Sequence, residues 1–359
     1  MKKWNIGWGL TTRCNMDCDF CYSKDVRIEP NDLCLSDWIR FIDDNHEYIN
    51  SINYGTGENS IHDDFFEIIS YIRGHYPQIT QSVTTNGFLF ERVKTTPRYR
   101  DIYLECIDEV DISLDFAKAT LHNDFRNNSR AFEWALKGLE ILQTDDKLST
   151  LVFIATPQTL VEENIRGLFA ISASYGSLVR MNIYRPVSGF EQTNNKFVVP
   201  YKVLKNALEY ICDNYEVIGL SDILFGNLYT KEKDIFESTG VNSLRILPDG
   251  TISPSTYLIT EEFKNEYHIS HQNILKNITF NNIIKPKYPI ECKGCLIEKT
   301  CRGGVYDRRF LWYGTLRERD PYCPLRNGDE LPSKVYNYTK QGRITIHDGY
   351  LPTLFFRGK

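Results

Sequence analysis

Short apolar stretches alternate with amphipathic segments of helical period along the first 215 residues. The apolar stretches predict strands at residues 5–11, 51–54, 79–84, 110–114, 151–155 and 179–184. Helical patterns lie between them, including one that opens at Ser36 and others over 65–76 and 131–142. Six strands with crossover helices predict an α/β fold, in which a parallel sheet curls into a barrel or part of one. Chemistry in such folds lies at the carboxyl ends of the strands.

Composition and charge narrow the classes of function. The chain has 359 residues and a net charge of -5, without a basic block that would favour a nucleic-acid partner. No apolar run approaches the roughly 20 residues that span a bilayer, and the amino terminus lacks a signal-peptide core. We therefore expect a cytoplasmic protein with no membrane or nucleic-acid partner. Some of the ten cysteines are clustered, which in such a chain favours metal or redox chemistry over disulfides.

Three of these cysteines lie directly behind the first predicted strand. Cys14, Cys18 and Cys21 form a Cx3CxxC pattern. Three thiolates this close can ligate three irons of a [4Fe-4S] cube and leave the fourth iron open to a substrate or cofactor. A zinc knuckle or three unconnected thiols would also give short cysteine spacings.

With Phe20 just before its last cysteine, this pattern resembles the signature of the radical S-adenosylmethionine (SAM) superfamily. The resemblance implies that the open iron chelates the amino and carboxylate groups of SAM. An electron from the reduced cluster then breaks a carbon-sulfur bond, and the resulting 5'-deoxyadenosyl radical abstracts hydrogen from a substrate. It also implies a partial (β/α)6 TIM-like barrel, which we expect over residues 1–215, and a reductant such as flavodoxin or ferredoxin.

Polar segments after successive strands extend the resemblance. Residues 55–58, Gly-Thr-Gly-Glu, resemble the family's GGE segment, although Thr56 stands where a second glycine is common. Residues 84–87, Thr-Thr-Asn-Gly, resemble its TNG turn. Read alone, either segment could be an ordinary turn.

Later strands add candidate ligands for the ribose and carboxylate of SAM. Ser113 and Asp115 alternate onto one face of the fourth strand, and arginines like Arg126 pair with the SAM carboxylate in family members. A surface arginine is the alternative for Arg126. Asn182 lies in a segment that resembles the adenine and substrate side of relatives. The resemblance thus assigns cofactor binding to Phe20, Gly55, Gly57, Glu58, Asn86, Ser113, Asp115, Arg126 and Asn182.

A second cysteine set near the carboxyl terminus consists of Cys292, Cys295, Cys301 and Cys323. Four thiolates complete either a zinc site or a cluster site. Behind a radical SAM core, this set resembles the SPASM/twitch auxiliary-cluster domains, with residues 244–255 as the leading hairpin around an Asp-Gly turn.

The second set also departs from the full SPASM pattern. Ser255 and Val305 stand where relatives with two auxiliary clusters have cysteines. The resemblance then implies one auxiliary [4Fe-4S] cluster, fully ligated by protein, that passes electrons or supports the fold. We expect a linker at 216–243, the auxiliary-cluster domain at 244–330 and a tail at 331–359 that packs back on the protein or meets a partner.

The remaining thiols are isolated. Cys106 and Cys212 lie in apolar contexts and are expected in the core. Cys34 lies in a polar stretch and is a weak candidate for a hydrogen-atom donor to a substrate radical. It is the only catalytic residue that we single out.

The resemblance also implies a substrate class. Relatives with such domains mostly mature ribosomally made peptides by thioether or carbon-carbon crosslinking or by epimerisation, or they oxidise a sulfatase side chain. Only thirteen residues precede Cys14, so we expect a separate leader-recognition protein for a leader-bearing precursor peptide. This combination resembles maturases of nitrile-hydratase-like or nif11-type leaders, including spliceases that excise tyramine and leave an α-keto-β-amino acid. A radical SAM enzyme on a small molecule and a non-enzymatic zinc scaffold are the alternatives.

Overall fold

The fold is built on one sheet of ten strands. The computed structural model describes residues 2–24, 32–187, 195–231, 235, 237–259, 263, 267–284, 288–337, 344–349 and 351–358. The strands are β1 Trp4–Trp8, β2 Ile49–Tyr54, β3 Thr80–Thr85, β4 Glu109–Ser113, β5 Leu148–Ala155, β6 Leu178–Ile183, β7 Glu216–Leu220, β8 Ser243–Ile246, β9 Ile252–Ser253 and β10 Leu354–Arg357. Their order across the sheet is β7-β10-β6-β5-β4-β3-β2-β1-β8-β9.

Helices follow most of the strands. They are α1 Leu35–Asn45, α2 Phe65–His75, α3 Phe88–Thr95, α4 Pro97–Cys106, α5 Ala119–Phe125, α6 Ala131–Thr144, α7 Glu162–Ser174, α8 Tyr201–Asn214, α9 Ile223–Tyr229, α10 Ile274–Asn277, α11 Asn281–Ile284, α12 Glu298–Cys301 and α13 Tyr306–Tyr313. The longest, α6 and α8, have 14 residues. In the described ranges, none of the helices combines the length and apolar character that a membrane span requires.

The predicted βα repetition is confirmed. Strands β1 to β6 pair in parallel, each with the next in the chain. Their alternate side chains separate the two faces of the sheet. Residues such as Ile52 and Ile112 are buried in the apolar core, whereas Asn53, Thr84 and Asp111 point to the other face and hydrogen-bond one another. This polar face lines the inside of the partial barrel.

Both edges of the six-strand core are extended. On one side, β8 pairs in parallel with β1 and turns into β9 as an antiparallel hairpin. Gly250 adopts a φ of +86° in that turn, so the hairpin predicted over 244–255 is confirmed. On the other side, β10 lies between β6 and β7 and is antiparallel to both.

Two segments outside the six-strand core contribute regular structure. Residues 216–243, which were expected to form a linker, contain β7 and α9, whose Leu220 and Leu224 are buried. Within the tail predicted at 331–359, residues 354–357 form β10, which pairs with both β6 and β7. The apolar run at its end was visible in the sequence, but its partner strands lie far away along the chain.

Buried ion pairs fasten the carboxyl-terminal cysteine region to the barrel. The Arg185 Nε, just after β6, donates to Asp307 Oδ1 of α13 at 2.9 Å. Arg308, which is fully buried, pairs with both Asp222 and Asp320. Because breaking a buried pair leaves an uncompensated charge, these contacts hold α13 firmly against the strand ends.

We predict that Phe356→Ala will lower the free energy of unfolding by about 3–5 kcal/mol, because it removes a fully buried ring that packs against Phe169 of α7. The measurement is chemical denaturation. Val203→Ala on α8, whose side chain is exposed, serves as control and should shift the unfolding free energy by less than about 0.5 kcal/mol. Equal effects of the two changes would mean that β10 is not part of the packed sheet.

Candidate active site

One pocket opens at the carboxyl ends of the parallel strands. Its lining contains every residue that the sequence analysis assigned to the first cluster or to cofactor binding. These residues are Cys14, Cys18, Phe20, Cys21, Gly55, Gly57, Glu58, Asn86, Ser113, Asp115, Arg126 and Asn182. They come from the loop after β1, from the ends of β2, β3, β4 and β6, and, for Arg126, from the end of α5. The topology of the sheet therefore brings together side chains that are separated by up to 168 residues in the chain, from position 14 to position 182.

The three-cysteine loop forms one wall of this pocket. Cys18 is buried, and its Sγ lies 3.6 Å from the carbonyl oxygen of Arg126. Cys14 and Cys21 are partly exposed to the pocket. The Phe20 ring stacks on Phe125 with 4.2 Å between ring centroids, which fixes the loop against α5.

The chemistry of these thiols fits an iron cluster. Burial raises the pKa of Cys18 to about 12, against the opposing effect of the Arg126 charge, so without a cation this thiol stays protonated. A cysteine that binds a metal must be a thiolate. The positive charge of a bound cation stabilises this thiolate, which burial alone disfavours. Within the described ranges, no three or more His, Cys, Asp or Glu side chains are grouped to hold a metal ion. A cube needs a wider arrangement, because each thiolate binds a different iron.

The end of β2 approaches the cysteine loop through its backbone. Gly57 has a φ of +60°, and a Cβ there would lie 2.2 Å from the carbonyl oxygen of Arg13. The next residue, Glu58, donates its backbone N–H to the same oxygen at 3.0 Å. Only glycine allows this contact, so residues 55–58 form a backbone surface directly beside Cys14.

The Glu58 side chain faces the protein. Its carboxylate accepts hydrogen bonds from Ser60 Oγ, Thr85 Oγ1 and the Asn86 backbone N–H at 2.6–3.0 Å. Burial raises the pKa of this carboxyl, and the hydrogen bonds oppose that rise. Glu58 thus joins the ends of β2 and β3.

The turn after β3 positions the cysteine loop. Asn86 Nδ2 donates to Asn15 Oδ1 at 2.8 Å, next to Cys14. Gly87 follows with a φ of +97°, and a Cβ there would lie 2.5 Å from the Trp134 backbone of α6. The predicted turn is therefore a close contact between β3, α6 and the cysteine loop.

The end of β4 carries a buried ion pair. Arg126 Nε donates to Asp115 Oδ2 at 2.7 Å, and Ile154 donates its backbone N–H to Asp115 Oδ1 at 2.9 Å. Burial lowers the pKa of His122 well below its ordinary value, so its neutral Nδ1 accepts the Asp115 N–H. Both carboxylate oxygens of Asp115 thus have protein partners. Asp115 and Arg126 both line the pocket, and direct contact of Asp115 with ribose or carboxylate stays a prediction.

The chain resembles known proteins in sequence and in fold. Residues 8–166 match the model of the Radical SAM superfamily. This match, together with the maturase relatives, supports a radical SAM iron-sulfur enzyme. It is 29% identical over 340 residues to mycofactocin maturase MftC of Mycobacterium ulcerans, covering 89% of this chain and 87% of that protein.

Two further comparisons agree with this assignment. Mycofactocin maturase MftC of Mycolicibacterium smegmatis is 32% identical over 188 residues, which cover 50% of this chain and 44% of that protein. Streptococcus suis SuiB bound to S-adenosylmethionine superposes with a TM-score of 0.70 at 17% identity, covering 90% of this chain and 77% of SuiB. That likeness shows the shared fold.

The pocket also has a floor, which is lined by Arg180, Arg245, His347 and Leu351. Arg180 belongs to the same segment as Asn182, which resembles the adenine and substrate side of relatives, and alternates with Asn182 on one face of β6. The sequence analysis did not single out Arg245 or His347. His347 carries no local signal, because it reaches the pocket only through the return of the carboxyl-terminal segment.

The second cysteine set lines a separate small pocket. Cys292, Cys295, Cys301 and Cys323 all contribute to its wall, together with Arg319 and the buried Leu224 and Leu228 of α9. Burial raises the pKa of Cys292, and a hydrogen bond from Arg319 opposes this rise. Burial also raises the pKa of Cys301.

The isolated cysteines lie elsewhere. Cys106 and Cys212 are buried in the core as expected. Cys34 is exposed before α1, where its Sγ lies 3.0 Å from both Ser36 Oγ and Asp37 Oδ2. It does not belong to the described lining of the radical SAM pocket, so a role as hydrogen-atom donor would require movement.

We predict that Gly57→Ala will destabilise the protein by about 1–3 kcal/mol and reduce SAM binding, because it forces a side chain against the Arg13 carbonyl at a φ of +60°. Gly74→Ala in α2 is the matched control, since a Cβ there meets nothing within 4 Å. Thermal unfolding and equilibrium SAM binding to the reconstituted protein are the measurements. Unchanged SAM binding in Gly57→Ala would contradict the role given to this backbone contact.

Proposed function

We propose that this enzyme cleaves SAM reductively in the pocket at the strand ends and abstracts a hydrogen atom from a residue of a ribosomally synthesised peptide. The observation that carries the proposal is the gathering of Cys14, Cys18 and Cys21 with all nine candidate cofactor residues around one pocket. A peptide substrate is supported by the likeness to mycofactocin maturases, which runs through 89% of the chain.

Each part of the pocket has a distinct role in this proposal. The three cysteines would hold a [4Fe-4S] cluster, which when loaded with SAM supplies the reductive cleavage that gives the 5'-deoxyadenosyl radical. The backbone of residues 55–57 would take the amino end of SAM, because the close approach of Gly57 to the Arg13 carbonyl holds this segment in the pocket lining beside Cys14. Arg126 would pair with the SAM carboxylate while Asp115 fixes its orientation at 2.7 Å.

The rest of the pocket would receive the peptide. Its wall beyond Asn182 continues through Ile183, Tyr184 and Tyr257, which together offer apolar and aromatic surface. Such surface suits an amino-acid side chain, and polar groups below it suit a peptide backbone or charged end. The reaction on that residue would be tyramine excision, a carbon-carbon or thioether crosslink, or an epimerisation.

We further propose an auxiliary [4Fe-4S] cluster at the second cysteine set. Four cysteines line one small pocket there, and their donor set completes the ligation without an open iron. Such a cluster would pass electrons or stabilise the region around α12 and α13. A flavodoxin or ferredoxin would supply the electrons, and a separate protein would recognise the leader of the precursor peptide.

The first test concerns the cluster of the proposed active site. Cys14→Ala should lower the rate of 5'-deoxyadenosine formation by more than about 100-fold, because a cube without its full ligand set does not present the open iron correctly. Chromatography of the reduced protein with SAM measures the product. Cys34→Ala is the matched control and should retain the wild-type rate, since Cys34 lies outside the described pocket lining. SAM cleavage at the wild-type rate in Cys14→Ala would overturn the proposal.

The second test concerns the auxiliary cluster. Anaerobically reconstituted wild-type protein should contain about eight irons and about eight sulfides per chain, and Cys292→Ala/Cys295→Ala about four of each. Iron and acid-labile sulfide analysis gives both numbers. About four irons in both proteins, with zinc bound to the wild type, would contradict the auxiliary cluster and leave the first cluster intact.

The third test concerns the substrate class. The reduced enzyme is incubated with SAM and each short peptide encoded beside its gene, and the peptide mass and the chirality of its residues are measured. A change of mass or of chirality that requires both SAM and Cys14 supports peptide maturation. SAM-dependent conversion of a small molecule, with every neighbouring peptide unchanged, would contradict it.

A further inference from the structure

Arg180 is a buried guanidinium that faces the pocket without a full set of partners. It lies on β6, is 1% exposed and lines the pocket floor. Its Nη2 donates to Asp111 Oδ2 at 2.8 Å. Its Nε and Nη1 have no hydrogen-bond partner among the described residues. A buried polar group without a hydrogen bond raises the free energy of the folded protein, and more so on a charged side chain. We therefore expect an acceptor beside these two nitrogens.

The neighbouring acidic groups have little capacity left for Arg180. Asp111 Oδ2 is already shared with Thr84 Oγ1 at 3.2 Å and with His347 Nδ1 at 3.0 Å. Asp115 and Glu58, the other carboxylates of this region, are held by protein donors at the strand ends. Among the described residues no acceptor lies within hydrogen-bond distance of Nε and Nη1, so a bound molecule or water can complete their hydrogen bonds.

The guanidinium of Arg180 points away from the proposed SAM layer. The register pairs Arg180 with Val152 and Val152 with Ser113, so the backbone of Arg180 is level with Ser113 and one side-chain layer deeper than Asn182. Its Nη2 bonds Asp111, which precedes Ser113 by two residues on β4. Two residues along a strand correspond to about 6.6 Å, so the guanidinium reaches the layer below Ser113.

We propose that Arg180 binds a carboxylate of the substrate at the pocket floor. Guanidinium groups form strong, oriented hydrogen bonds with carboxylates, and a buried site strengthens them. His347 contacts the same Asp111 oxygen as Arg180 and, with Leu351, brings the carboxyl-terminal segment into this floor. The carboxylate comes from a peptide terminus or from an acidic side chain. The assignment of this carboxylate to the substrate rests on the proposed function.

The test compares three defined peptides on the reconstituted holoenzyme by ligand-observed NMR. N-acetyl-Gly-Phe with a free carboxyl terminus carries a terminal carboxylate, N-acetyl-Glu-Phe-amide a side-chain carboxylate, and N-acetyl-Gly-Phe-amide neither. At least one acid should bind about tenfold or more tightly than the amide, as expected for a charge-assisted hydrogen bond. Which acid is preferred identifies the source. Equal binding of all three would overturn the proposal.

Saturating SAM distinguishes the two possible carboxylate ligands. If the preference persists with SAM bound, the site belongs to the substrate, as proposed. If SAM abolishes it by competition, Arg180 serves the carboxylate of SAM and the proposal is wrong. This binding measurement needs no turnover, so its failure can be told apart from failure of the peptide-maturase function.

A double substitution tests whether Arg180 causes the preference for peptides with a carboxylate. Arg180→Met alone would leave Asp111 buried without its guanidinium partner, so the double variant Arg180→Met/Asp111→Asn removes both charges. It should bind the acids and the amide equally. Arg166→Met on α7, whose side chain is 63% exposed, is the control and should keep the preference. An undiminished preference in the double variant would contradict the assignment to Arg180.

Discussion

The ion pair between Asp115 and Arg126 joins the three-cysteine loop to the strands of the barrel. Asp115, after β4, is fully buried, and Arg126, after α5, is 11% exposed; the two side chains lie 2.7 Å apart. The same carboxylate accepts the Ile154 N–H of β5, and the Arg126 carbonyl oxygen contacts the Cys18 thiol. A lone charge in this position would be strongly unfavourable, so the pair fixes the loop and the two strands together. The shape of the pocket follows from this arrangement.

The inside of the barrel is polar for a related reason. A parallel sheet that is covered by helices on one face must still satisfy the groups on its other face. Here Asn53, Thr84 and Asp111 do so by hydrogen bonds across neighbouring strands, and Arg180 of β6 donates one hydrogen bond over β5 to Asp111. The carboxyl-terminal segment adds His347 to this network and then forms β10. A polar interior of this kind can receive a peptide that brings its own polar groups.

The sequence analysis predicted the barrel, because local periodicity determines strands and helices and the βα alternation determines a parallel sheet. It also named the residues that line the upper pocket, because short motifs such as 55–58 and 84–87 follow the strands directly. It could not foresee that the Asp115 carboxylate is held by Arg126 and the Ile154 N–H, since hydrogen-bond partners depend on the tertiary structure. The strand character of 354–357 and the position of His347 were missed because both depend on contacts with residues far away in the chain.

The claim that three thiolates leave one iron open for SAM can be tested most directly by electron paramagnetic resonance. The Cys292→Ala/Cys295→Ala protein, which retains the first cysteine set, is reduced and its spectrum is recorded with and without SAM. The account predicts that SAM changes the g-values of the reduced [4Fe-4S] signal, because it binds the cluster at the unligated iron. A reduced-cluster spectrum that saturating SAM leaves unaltered would contradict the account.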